Sequence, residues 1–182
     1  MDVRIIIKGI ILISLCFSYK GFGQQLSCND IRLQLEEATL SESTARNLLT
    51  SLEEVKDKTA LITAFQASAN GILCLHVSNP VKRIKIAKEA VRLANSAVEE
   101  DNNNLEIRFI RFAIESQIPK VLGMSSHVKT DRQYLLSNFN QTSFQQIPYR
   151  SLEEMLLVME DSNEFTDFEL LKMKAEVYTT SQ

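Results

Sequence analysis

From Cys28 onward, apolar residues recur three and four positions apart with little to interrupt them. Five glycines and three prolines serve a chain of 182 residues. So few turn formers favour long helices joined by short loops. Ile31, Leu35 and Ala38 follow Asn29, a residue suited to capping a helix. Ser41 precedes Ala45, Leu48, Leu49, Leu52 and Val55, a single apolar stripe behind an N-cap. Residues 59–77 have scarcely any polar side (Leu61, Ala64, Phe65, Ala67, Ala69, Ile72 and Leu75), which marks the most buried helix. "SNP" stops it and puts Pro80 in the first turn of the next helix, where a missing N–H costs nothing. There Ile84, Ala87, Val91, Ala94 and Val98 form the inward face, and Lys82, Arg83, Lys85, Lys88 and Arg92 the outward one. Residues 105–117, a helix opening at Ser125 or Ser126, and two final helices at 151–160 and 165–177 complete the pattern, with 138–149 as the longest loop. No segment alternates over the length of a strand. The reading is all-α: six or seven helices, antiparallel neighbours, hairpins stacked into a small bundle.

The ends divide the chain. Arg4 and Lys8 precede an apolar run from Gly9 to Phe17, and a polar stretch closes on Gly21-Phe22-Gly23. That order reads as a secretory signal peptide at 1–23, leaving a single helical domain at 24–182 and a protein destined for the periplasm or the exterior. The run falls short of the roughly 20 residues of a membrane helix, so no integral membrane protein is expected after cleavage. Cys16 follows Leu15, where a lipid-modified cysteine wants a small residue. The leader's Arg4, Lys8 and Lys20 against Asp2 account for +2 of a whole-chain charge of −3, so the rest carries −5. An acidic chain without a basic tail is unsuited to nucleic acid, whose binding rests on neutralising phosphates. No Lys/Arg cluster stands out that would suit an anionic membrane surface.

The stretch "EIRFIRFAIESQIPKVLG", 106–123, holds the candidate site residues. Leu105, Phe109, Phe112 and Ser116 share one stripe, with Ile110 and Ala113 alongside. Arg108, Arg111 and Glu115 form another, and Glu106 lies on a flank. Two planar guanidinium groups so placed could form a fork for a carboxylate or phosphate. The alternative makes them partners of acids on a neighbouring helix, with Arg111 also paired to Glu115 one turn on, and helical domains offer many more such pairs than anion sites. The helix should stop before Pro119, with Gly123 supplying a turn.

Ala90, Ala94 and Ala97, followed by "EEDNNNLEIRF", resemble the second helix and junction of a tetratricopeptide repeat, with Asn102 where that repeat carries proline. The likeness covers one degenerate unit, without a second copy some 34 residues away. "NP" before an Ala-rich helix, then "E-x-R-F-I-R-F", "IPKVLG" and Asp131, resembles a group of short exported bacterial helical proteins without an assigned function. Residues 28–139 carry that resemblance, with Glu106, Arg108, Arg111, Pro119 and Gly123 its most specific positions. It implies fold and location only.

Catalytic and metal chemistry find little footing. Cys74 and His76 stand two apart and point to different sides of a helix, and His127 with Asp131 offers two ligands at most. No nucleophile elbow, phosphate loop, calcium loop or H-E-x-x-H pattern occurs, so no cofactor, metal or catalytic residue is assigned. Cys28 and Cys74 should remain free thiols despite export, because parallel first and third helices would hold them far apart, with Cys74 buried as core filler and Cys28 partly exposed. The functional expectation is an exported module that binds another exported or envelope protein without catalysis. The alternatives are an enzyme whose Glu, Asp, His and Arg residues meet between helices, and a purely structural or envelope-associated protein marked by a large exposed apolar patch. Partner and oligomeric state have no signature in the sequence.

Overall fold

The structure, a computed structural model, describes residues 27–180; the leader expected at 1–23 lies outside them. The described residues form eight α-helices and no strand. They are α1 (Cys28–Ala38), α2 (Glu42–Glu53), α3 (Ala60–His76), α4 (Pro80–Glu100), α5 (Leu105–Ser116), α6 (Val128–Asn138), α7 (Tyr149–Asp161) and α8 (Asp167–Thr180), with a short 3-10 turn at Lys120–Leu122. That exceeds the six or seven expected, and the fold class is all-α. Among the described residues no helix is long and apolar enough to cross a membrane.

Local chemistry sets the boundaries. The side chains of Ser27, Ser41, Thr59, Asn79 and Asn104 each accept a hydrogen bond from a backbone N–H in the first turn of their helix. Pro80 fills the first position of α4. The first cap is Ser27, two residues before Asn29, whose side chain is taken up by Arg32. α5 ends at Ser116, ahead of Pro119, and Gly123 turns the chain with φ +66°. α6 begins at Val128, after the serines expected to cap it. Ser125 instead donates to the carbonyl oxygens of Glu115 and Ile118, and the backbone N–H of His127 goes to the Glu115 carboxylate.

Two apolar clusters result. The first gathers α1 to α4 around α3, where Ala64, Ala67 and Ala69 are completely enclosed and Phe65 nearly so. The second joins α6, α7 and α8 through Leu135, Leu152, Met159 and Val177, with Phe139 edge-on to Phe144 in the long loop. α5 belongs to both. Ile107 and Ile110 enter the first cluster, Leu105 and Phe112 the second, and half-buried Phe109 touches each.

The apolar stripes of α3, α4 and α5 predict a common core of Phe65, Ile72, Val91, Ala94, Phe109 and Phe112, which needs correction. Phe65, Ala94 and Phe112 are buried, whereas Ile72, Val91 and Phe109 are only half-buried. α4 is rotated from its expected face. Because α3 and α5 both pack on it, Ala90, Leu93, Ala94, Ala97 and Val98 turn inward while Ile84 stays exposed. Leu75, near the end of α3, is 65% exposed.

The thiols are free and half-buried, Cys74 being less enclosed than expected. His76 Nε2 donates to the Ala38 carbonyl at 2.9 Å, so α1 and α3 end side by side and run the same way. Cys28 opens α1 and Cys74 nearly closes the 17-residue α3. With the two helices ending together, Cys28 lies ten residues before the end of α1 and Cys74 two before the end of α3, about 12 Å apart along the axes, against the roughly 7 Å between Cα atoms that a disulfide needs. Burial pushes the Cys74 thiol above its ordinary value, although Arg83 opposes this.

Phe112, fully enclosed, meets Phe165 edge-on at 5.3 Å between centroids. Phe112→Ala should lower stability by about 3–5 kcal/mol in urea denaturation, and Phe109→Ala by less. Equal losses would mean that the two positions are equally packed in solution.

Candidate functional site

With an apolar face turned to each core, α5 has two narrow sectors left between them. Its charged residues occupy those sectors and are held there. Glu106, Arg111 and Glu115 are 7%, 5% and 1% exposed, deep enough that each must be neutralised.

On one side Glu106 receives both Nε and Nη2 of Arg32 from α1, at 2.7 and 2.6 Å. Arg32 spends its remaining donors on Asn29 Oδ1 at 2.5 Å and the Gln146 carbonyl at 3.3 Å, and its guanidinium lies 5.6 Å from the Phe65 ring centre. The hydrogen bonds to Glu106 hold Arg32 above its ordinary pKa despite burial.

On the other side Asp131 of α6, with no exposed surface, accepts Nε and Nη2 of Arg111 at 2.7 and 2.8 Å. Arg108 Nε stands 3.0 Å from the same carboxylate, but out of line, so it contributes charge without a hydrogen bond. Its guanidinium lies 4.5 Å from the Tyr134 ring centre, and the Tyr134 hydroxyl donates to the Asn103 carbonyl at 2.6 Å. Burial raises the Tyr134 pKa, with Arg108 opposing. Arg111 also reaches Asn95 of α4 at 3.3 Å. One turn along, Glu115 accepts from the backbone N–H of His127 at 2.7 Å and from its Nδ1 at 2.8 Å.

Arg108 and Arg111 thus form a fork around a carboxylate of the chain itself. Arg111 does not pair with Glu115, because Asp131 and His127 draw the two apart. Nor do His127 and Asp131 face a common ion, since each is already engaged by α5. No group of three or more metal-ligating side chains occurs among the described residues.

Two shallow cavities border the ends of this arrangement. One, of about 450 Å³, adjoins Glu115 and is lined by Ile118, Lys120, Ser125, Lys129 and Glu164 among others. The second, of about 220 Å³, opens between α1, α3, α5 and α7, over Phe65, Phe109 and Met155, with Arg32 and Glu106 in its wall and Glu36 and Glu154 at its margin. Sequence spacing gives no hint of the last pair, which lies on helices far apart in the chain. Burial lifts the Glu154 carboxyl above the ordinary glutamate value, and a hydrogen bond with Glu36 adds to the rise. Arg150, bound to both carboxyls, pulls the other way. In the first cavity the Ser126 hydroxyl lies 3.3 Å from His127 Nδ1, the same nitrogen that meets the Glu115 carboxylate at 2.8 Å.

Arg111→Ala would leave Asp131 enclosed with Arg108 alone, and should cost about 3–5 kcal/mol in urea denaturation. A cost below about 1 kcal/mol would place the pair in water. Glu154 predicts a pH effect of definite sign. Its raised pKa favours the protonated form in the folded state, so its contribution is present at low pH and is lost as pH rises through the window above the ordinary glutamate value. Urea midpoints across that window should show the wild type losing ground to Glu154→Gln; a constant difference would mean that the carboxyl ionises alike in both states.

Comparison with protein-family models, with curated proteins and with solved structures finds no match to this chain.

Proposed function

We propose that the protein is an exported helical module that binds another exported or envelope protein and catalyses no reaction. The observation that carries this reading is α8, a helix with two apolar faces. Leu170, Met173 and Val177 turn into the second core. Phe168, Leu171 and Tyr178, at the same three-and-four spacing, are 64%, 65% and 56% exposed. A surface helix ordinarily keeps its outer face polar, so a second apolar stripe fits burial by a partner. The internal use of α5's charges supports the same reading, because the groups that looked most like a site are occupied in holding the bundle together. α3 and α4, joined by a short loop and packed through Ala90, Ala94 and Ala97, support the tetratricopeptide-like element of the proposal.

An enzyme is the second reading, favoured by one place: the cleft margin where the raised Glu154 carboxyl lies against Glu36, beside Arg32 and Glu106. A raised carboxyl at an apolar cleft is a starting point for acid–base catalysis.

Phe168→Ser/Leu171→Ser should leave the urea midpoint nearly unchanged, because both side chains are exposed. It should also abolish recovery of a specific protein in pull-downs from the envelope fraction. Recovery of the same proteins by both forms would refute the role given to α8. An activity abolished by Glu154→Gln would instead establish the enzyme.

A further inference from the structure

α4 is longer than the helices that cover it. None of residues 80–89 is buried, and the first enclosed side chain is Ala90. Val81, Ile84, Lys85, Lys88 and Arg92 recur at three and four on the side opposite Ala90, Leu93, Ala94 and Ala97. The outer face of this overhang therefore mixes aliphatic and cationic residues.

Neighbouring elements bring more of both kinds to the same end. Arg83 Nε donates to the Val77 carbonyl at 3.0 Å, holding the start of α4 against the end of α3. The His76–Ala38 hydrogen bond brings in the end of α1. Leu40, Leu75, Val81 and Ile84, at 82%, 65%, 76% and 36% exposure, consequently share one end of the bundle. Lys82, Lys85 and Lys88 are exposed there and have no ion-pair partner among the described residues. The acids nearby are largely neutralised: Glu42 is tied to Arg46 and Glu89 to Arg92, leaving Glu37 as an exposed acid on α1. A chain with an excess of acidic residues thus carries a basic, aliphatic tip, which corrects the expectation that no cluster of lysine and arginine would suit an anionic membrane surface.

We propose that this tip, the start of α4 with Leu40 and Leu75, docks the protein on an anionic lipid surface. Complementary charge argues for that occupant. Lysines act as point charges on flexible stems and suit a diffuse negative potential, whereas recognition of one carboxylate favours the arginine fork, which this protein uses inside. The aliphatic tips can enter the boundary between headgroups and acyl chains while the lysines remain at phosphate level. An acidic helix or peptide would want a groove to fix its register, and both cavities described above lie among other residues. Each lysine near an anionic surface strengthens binding roughly fivefold, so three give roughly 150-fold, a reversible contact rather than an anchor. The inference is independent of the α8 reading, since it uses different residues and a different partner.

The absence of tryptophan makes the test local. In the full chain, Val81→Trp places a single fluorophore at the tip, and Leu157→Trp places one on an exposed position of α7. Phosphatidylcholine vesicles containing phosphatidylglycerol should shift the Val81→Trp emission to the blue, and high salt should reverse the shift. Vesicles of phosphatidylcholine alone should not, and the Leu157→Trp emission should stay unchanged on both. Adding Lys82→Ala/Lys85→Ala to the Val81→Trp chain should weaken binding to the anionic vesicles roughly 30-fold, with the helical circular dichroism unaltered. The proposal is overturned by a missing shift, by equal shifts on neutral and anionic vesicles, or by a lysine-independent shift. It is also overturned if Leu157→Trp shifts as well, which would mean that the whole chain spreads on the bilayer. A shift with polyglutamate and none with vesicles would assign the tip to an acidic protein instead.

Discussion

The fold depends on α5 being buried from two directions. A helix that serves two cores has no solvent side on which to keep charges, yet this one carries Glu106, Arg108, Arg111 and Glu115 within twelve residues. The conflict is resolved by giving each a partner in place. Arg32 meets Glu106, Asp131 meets both arginines, and His127 meets Glu115. Such pairs are poor sources of net stability, because desolvating two ions costs nearly as much as their attraction returns. What they supply is registry. Apolar contacts tolerate sliding by a turn, whereas a carboxylate held by two nitrogens of one guanidinium does not. Glu106 fixes α1 against α5, and Asp131 fixes α6 against α5.

Much of the helical layout was legible because helix boundaries are written locally. Ser41 and Pro80 mark starts by their own chemistry, and the structure places helices behind each. Legibility ended where a boundary or a face was decided from elsewhere in the chain. α6 starts after its serines because the backbone N–H of His127, just before its first turn, meets a carboxylate of α5, which no reading of 125–128 alone could reveal. α4 is rotated because it has two neighbours, and periodicity counts apolar residues without counting the helices they face.

The candidate residues divide along the same line. That α5's arginines can reach an acid on another helix follows from spacing and composition; that both choose Asp131, leaving Glu115 to His127, is a tertiary fact. Glu36 and Glu154 were invisible in the sequence, since 117 positions separate them and nothing near either marks a partner.

The capping of α6 by Glu115 also bears on how the chain acquires its structure. Helices α1 to α4 contact one another through neighbours in sequence, so they can assemble as they emerge during synthesis. α5 can then dock Ile107 and Ile110 at once, and Arg32 is already present for Glu106. Its other side must wait. Until residues 127 and 131 follow, Arg108, Arg111 and Glu115 have no partner from α6, and water must serve in its place. On this topology the first half can order before the second, with α5 as the surface against which α6 is begun.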